Sequence, residues 1–320
     1  MEKEDTTEKD WHRSLVERLA SDALIERRRT RRWGIFFKIL TFAYLTFLLF
    51  LLLPSDWSEK AMGGKKHTAL VELEGVIAAG EKASADNVVS GLRDAFKDKN
   101  TKAVVLRINS PGGSPVQSGY IYNEMQRLRE KFPDIPLYAV VSDICASGGY
   151  YVASAADEIY VNESSVVGSI GVLINGFGFV DAMEELGVER RLMTAGEHKG
   201  ILDPFSPLDA FEKQHTENLL GGLHKTFIDA VQAGRGDRLK GSDDVLFSGL
   251  FWSGSEGIEL GLADAIGSAG FVAREIVGVE EVVDFTVKED PIARIADRIG
   301  ASVGKAMARW SGLDAGFQLR

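Results

Sequence analysis

LYAVVSDICASGGYYVASAADEIYV, residues 137–161, is the stretch whose reading decides the fold. Leu137 to Val141 is apolar and bounded by polar residues, the pattern of a short buried strand. Tyr150 to Ala156 reads as an apolar helix, and Glu158 to Val161 returns to strand composition. Ser147 therefore stands at a strand-to-helix junction, where the first N–H groups of the helix lack intrahelical partners. Gly148 and Gly149 leave no bulk behind its hydroxyl. Alone, the stretch supports two readings of Ser147: a helix cap, or a hydroxyl seated for chemistry.

Outward from this stretch, helices and strands alternate. Thr68 to Leu73 and Ala103 to Ile108 read as strands, Ala85 to Lys97 and Val116 to Lys131 as helices. After Gly171 come a short apolar run at Val172 to Ile174, a helix over Asp181 to Leu186 and a strand over Arg190 to Met193. A long helix over Leu208 to Ala233 completes the series. The alternation predicts an α/β fold of stacked βαβ units around a mostly parallel, buried sheet.

Composition excludes several classes of function. The chain has 320 residues, 45% of them hydrophobic, enough to bury a large core. Its formal net charge of -10 argues against nucleic acid as a partner. Cys145 is the only cysteine, which rules out an intrachain disulfide and a cysteine-built metal site. There is no metal-ligand spacing, no P-loop ending and no G-x-G-x-x-G fingerprint, so the sequence requires no cofactor.

The N-terminal part reads as a membrane anchor. Ile39 to Leu53 is almost entirely apolar and, joined to Trp33 to Phe37, is long enough to cross a hydrocarbon core of about 30 Å. The basic cluster Arg27-Arg28-Arg29-Thr30-Arg31-Arg32 precedes it, which keeps the N-terminus in the cytoplasm and exports the chain beyond Leu53. A cleaved signal peptide is the competing reading, with Ala61-Met62-Gly63 a weak cleavage site. The expected map is a cytoplasmic tail at 1–32, a transmembrane anchor at 33–53, a stalk at 54–67, a catalytic domain at 68–288 and a helical extension at 289–320.

A second glycine-rich loop, Asn109-Ser110-Pro111-Gly112-Gly113-Ser114, also lies between a buried strand and a helix. Acyl transfer needs two preorganised N–H donors about 3 Å from the developing oxyanion. Gly113, or alternatively Gly112, can supply one donor and Gly148 the other. A serine nucleophile also needs a base. Of the five histidines only His198 is placed to act as one, since His12 and His67 lie in the tail and stalk, and His215 and His224 sit among polar neighbours on the long helix. Beside His198 stands Lys199, in a glycine-bounded loop. Lysine serves as a base where desolvation disfavours its ammonium form.

Together these motifs resemble the signal peptide peptidase A family, membrane-bound Ser/Lys proteases related in fold to the Clp protease proteolytic subunit and the crotonases. The resemblance runs from Thr68 to about Phe285 and rests on five segments in family order. They are the Asn109–Gly113 loop, Ala146 to Tyr151, Gly168-Ser169-Ile170-Gly171-Val172, the Lys199 loop, and Trp252-Ser253-Gly254 through Leu260 to Asp264. It implies Ser147 as nucleophile and Lys199 as general base, both supplied by a single short chain, with Ser169 as the group orienting the lysine amine and Gly113 with Gly148 as the oxyanion hole. Glu197-His198 departs from the aromatic or basic residues expected before the lysine.

The resemblance further implies a serine endopeptidase that clears remnant signal peptides and other apolar peptides. It would sit in the bacterial cytoplasmic (inner) membrane as a single-pass protein, assembled as a homo-oligomeric ring or dome with its catalytic domain outside the cytoplasm. Two other classes share parts of this pattern. A crotonase-like acyl-CoA enzyme would use the same two-amide hole, and a catalytically idle membrane scaffold would use the fold for assembly alone.

Overall fold

The computed structural model describes residues 26–48 and 64–288. The chain divides into two compact units, one drawn from Met1–Gly63 and Glu289–Arg320, the other spanning Gly64–Lys288. In the first unit, residues 26–48 form helix α1. Its large apolar side chains, among them Trp33, Phe37, Phe42 and Phe47, are exposed. Among the described residues no helix is long and apolar enough to cross a membrane. Residues 1–25, 49–63 and 289–320, and with them the end of the expected anchor, most of the stalk and the C-terminal extension, lie outside the described residues.

The second unit is a mixed α/β structure built on one sheet. Its strands are β1 (His67–Glu74), β2 (Thr101–Ser110), β3 (Leu137–Ala146), β4 (Glu158–Val161), β5 (Val166–Gly168), β6 (Phe251–Ser253), β7 (Ala265–Ile266) and β8 (Val282–Asp284). The order is β6-β5-β3-β2-β1-β8, with β4 also paired to β3 and β7 to β4. Every pairing is parallel except β5 with β6.

Both faces of the sheet are covered, as parallel pairing requires. Val71, Leu73, Val104, Leu106, Ile108 and Ile159 point into the larger core. Leu70, Val105, Val140 and Tyr160, one residue out of phase, point into a smaller core capped by Val272. Over the larger core lie α2 (Ala85–Lys97), α3 (Pro115–Lys131) and α4 (Gly148–Ala153), with α6 (Ala210–Arg235) packed by its C-terminal half. Helix α2 buries Val88, Val89, Leu92, Ala95 and Phe96, the stripe of an amphipathic helix. Gly234 brings α6 against α4, since a Cβ there would lie 1.9 Å from the Ser154 carbonyl.

Strand β3 changes partner along its length. Tyr138 to Val140 pair with β4, and Ile144 to Ala146 pair with β5. The polar Ser142 and Asp143, which end the strand in a sequence reading, mark this switch, and β3 continues to Ala146. Helix α4 ends at Ala153, three residues before the apolar run does.

From 171 to 226 no residue is buried. This arm holds the short helix α5 (Val180–Glu185) and the first half of α6. The strand expected over Arg190 to Met193 is instead exposed irregular chain. Alternation of apolar residues marks a strand only where one face is buried and an edge is free to pair, and here neither condition holds. Leu173, Phe177, Leu186 and Met193 are each more than three-quarters exposed, Met193 at 91%.

Candidate active site

Ser147 occupies the cap position of α4 without capping it. Its hydroxyl makes no cap hydrogen bond, and its backbone sits at φ 50, ψ -123. A left-handed φ costs a non-glycine residue about 1–3 kcal/mol and persists only where the surroundings enforce it. Enforcement comes from two sides: the Ser147 N–H donates to the Gly168 carbonyl at 2.9 Å, and the Tyr151 N–H donates to the Ser147 carbonyl at 2.9 Å. A sharp turn of this kind between strand and helix is the backbone shape that a nucleophile elbow requires. The capping reading of Ser147 therefore fails on geometry.

The Gly112–Gly113 loop lies directly against this elbow. A Cβ on Gly112 would fall 2.6 Å from the Gly148 nitrogen and 2.8 Å from the Ser147 Cβ, so only glycine admits the approach. Ile77 holds the loop from behind, donating to the Gly112 carbonyl at 2.9 Å and accepting from Ser114 N–H at 2.7 Å. In such a parallel bridge the intervening residue, Gly113, turns its own N–H away from Ile77. A Cβ placed on Gly148 would lie 3.2 Å from the Gly113 nitrogen.

These contacts choose between the two candidate donors. The Gly112 N–H donates to the buried Ser110 hydroxyl at 3.1 Å, and that hydroxyl donates onward to the Gly75 carbonyl at 2.6 Å. The Gly112 N–H is thus occupied. Neither the Gly113 nor the Gly148 N–H meets an acceptor among the described loop and cap residues. Gly148 opens α4 and so has no intrahelical partner. Sequence reasoning missed Ser110, although it stands in the quoted loop, because its role depends on which way a hydroxyl points.

Ser169 is brought to the same place. Gly168, which accepts from Ser147, directly precedes it, and Ser169 repeats the left-handed turn at φ 52. Its N–H donates to the Leu250 carbonyl at 2.7 Å. Cys145, two residues before Ser147, is fully buried in the core, and burial pushes its thiol well above the usual range. A thiol held protonated is no nucleophile.

Lys199 lies in the exposed turn at 197–200, and among the described residues its amine makes no hydrogen bond with Ser147 or Ser169. The neighbouring His198 ties this turn to α6. His198 contacts Glu212 near the start of that helix at 3.2 Å and packs on Phe211, ring centroids 4.9 Å apart. His224, further along, contacts the Ile170 carbonyl beside Ser169 at 3.0 Å. At 1.5 Å per residue those two anchors stand about 18 Å apart along the helix. His198 likewise makes no hydrogen bond with Ser147 among the described residues. The turn itself is well built: Asp203 accepts from Ser206 at 2.7 Å and from Arg190 at 3.3 Å, and the Phe205 ring stacks on Phe179.

Comparison with known proteins places the chain. Residues 129–278, which include Ser147, Ser169 and Lys199, match the model of peptidase family S49. A putative protease of Synechocystis, slr0021, is 31% identical over 234 residues, covering 71% of this chain and 80% of that protein. The putative signal peptide peptidase SppA of Enterococcus faecium is 29% identical over 238 residues, covering 73% and 67%. A Brucella abortus protein named as the Na(+)/H(+) antiporter NhaA is 42% identical over 214 residues, 65% of this chain. The chain spans only 29% of that protein's length. A family pattern carried through the serine elbow and the lysine turn, with a relative covered over four-fifths of its length, means that the chain belongs to peptidase family S49, the signal peptide peptidase A proteases.

Proposed function

We propose that the chain is a Ser/Lys endopeptidase of Clp protease/crotonase-like fold that cleaves apolar peptides, remnant signal peptides above all, at a membrane. One observation supports this reading above the others: Ser147, uncapped and held in a left-handed turn, lies against the Gly112–Gly113 loop, beside the Gly113 and Gly148 amides that meet no acceptor among the described loop and cap residues. The Ser147 Oγ attacks the peptide carbonyl as its proton passes to the Lys199 amine. The two N–H groups bind the oxyanion. Collapse returns the proton to the leaving amine and leaves an acyl-enzyme, which a lysine-activated water hydrolyses. Ser169 steadies the amine by a hydrogen bond.

The lysine that serves Ser147 comes from a second copy of the chain. Support for this comes from the exposed arm at 171–226 and the spacing along α6 between the anchor beside the Lys199 turn and the anchor beside Ser169. Copies joined head to tail, arm onto elbow, close into a ring. The exposed apolar residues of α1 support anchoring through residues 33–53, which would hold the site beside substrates left in the bilayer and raise their effective concentration.

Turnover of an apolar peptide by single and co-assembled variants tests this. Ser147→Ala and Lys199→Ala are each expected to be inactive. Co-assembled in equal amounts, they pair an intact serine with an intact lysine at about one boundary in four, restoring turnover to that fraction. Turnover retained by either single variant removes the dyad. Two dead variants that stay dead when co-assembled remove the shared site.

A further inference from the structure

His224 lies on the polar stretch of α6 that a sequence reading gives to solvent. It is half-buried, and its Nε2 stands 3.0 Å from the Ile170 carbonyl. A carbonyl only accepts, so Nε2 carries the proton and donates. Ile170 is fully buried and follows Ser169 directly.

The turn that His224 reaches is under strain. Ser169 sits at φ 52, and its own carbonyl is taken by the Gly171 N–H at 2.9 Å, closing a three-residue turn around Ile170. Such a conformation lasts only where neighbours over-determine it. On one side the Ser169 N–H is held by the Leu250 carbonyl at 2.7 Å. On the other side stands the His224 bond, the only side-chain hydrogen bond to residues 168–171 among the described residues. Helix α6 buries nothing before Phe227, so packing by its preceding turns does not place the ring; the hydrogen bond does.

We infer that His224 is a positioning residue for the proteolytic reaction: it holds the Ile170 carbonyl, and through it the Ser169 turn, so that the Ser169 hydroxyl faces the lysine amine. The inference rests on the reading of Ser147 as nucleophile and Ser169 as the group that orients the lysine. His224 touches neither substrate nor the reacting atoms. Its loss changes the aim of Ser169 and leaves the oxyanion donors, Gly113 and Gly148, where they are.

A double-mutant cycle on the full-length oligomer, read as kcat and KM for an apolar fluorogenic peptide, tests this. His224→Ala is expected to lower kcat roughly tenfold at unchanged KM, the worth of about one hydrogen bond. His224→Gln, whose amide can donate in place of the ring, recovers most of the loss. In a Ser169→Ala background the same His224→Ala change costs less than about twofold, because the group it aims is gone. Full kcat in His224→Ala, or an equal loss in both backgrounds, overturns the inference and leaves the histidine a structural tie. If His224→Ala does not fold, His224→Met, which keeps bulk without the donor, is held to the same criteria. An inactive Ser147→Ala beside a fully active His224→Ala overturns this inference alone. Turnover by Ser147→Ala overturns the nucleophile reading, and full activity of Ser169→Ala the orienting role; either takes the inference with it.

Discussion

Ser147 is held in a strained backbone conformation. Its φ of 50 is one that glycine adopts freely and serine does not. Ser147→Gly is therefore expected to be inactive yet more stable than Ser147→Ala by about 1 kcal/mol, the strain relieved in the left-handed region. Thermal melts of the two variants check this, and equal melting temperatures would show that the elbow is not strained. Cys145 offers the converse test. Buried and held protonated, it is expected to resist a thiol alkylating agent in the native protein and to react fully in denaturant, with no loss of turnover on native treatment. Mass spectrometry reads the modification. At this scale the sequence singled out Ser147 and the glycines by residue type and position, and Ser169 only through the resemblance to a family. It left Gly112 and Gly113 open, because only the direction of the Ser110 hydroxyl decides which amide is free.

Among elements, the helices α2 and α3 are joined by charge as well as by packing. Glu124 of α3 accepts from Arg127 at 2.6 and 2.9 Å and from Arg93 of α2 at 2.7 Å. The Arg127 hydrogen bonds, working against burial and helped by Arg93, hold its carboxyl down at about 2. A depressed carboxylate stabilises the fold above its unfolded pKa of about 4.3, and that contribution fades as pH falls from there through about 2. Glu124→Gln is expected to lose on the order of 1–2 kcal/mol at pH 7, after screening by solvent at the two half-exposed arginines. Urea midpoints should converge with the parent as pH approaches 2; a gap that persists there would mean that packing, not charge, is lost. The elements over the core, β1, α2, β2 and α3, are legible in sequence because their apolar periodicity is strong. The second half of β3 and the short β5 are not, since polar residues at the partner switch end the pattern and three residues set no period.

For the whole molecule, the arm at 171–226 has apolar residues and no core to receive them. Replacing Phe177 and Leu186, both exposed at 78%, with serine is expected to leave the monomer folded while reducing the mass of the assembly and abolishing turnover. Sedimentation velocity measures the mass, and an assembly of parental size would remove these residues from the interface. By itself the sequence determined the α/β architecture, the serine elbow, its glycine companions and the family, since each comes from local residue type, periodicity or order along the chain. Only the tertiary structure decided that Ser147 does not cap its helix, that Gly113 rather than Gly112 is free, and that the segment holding Lys199 is anchored at the start of α6 through His198. These depend on dihedral angles, hydrogen-bond direction and the rigid spacing of anchors along α6, quantities that exist only once distant segments have packed together.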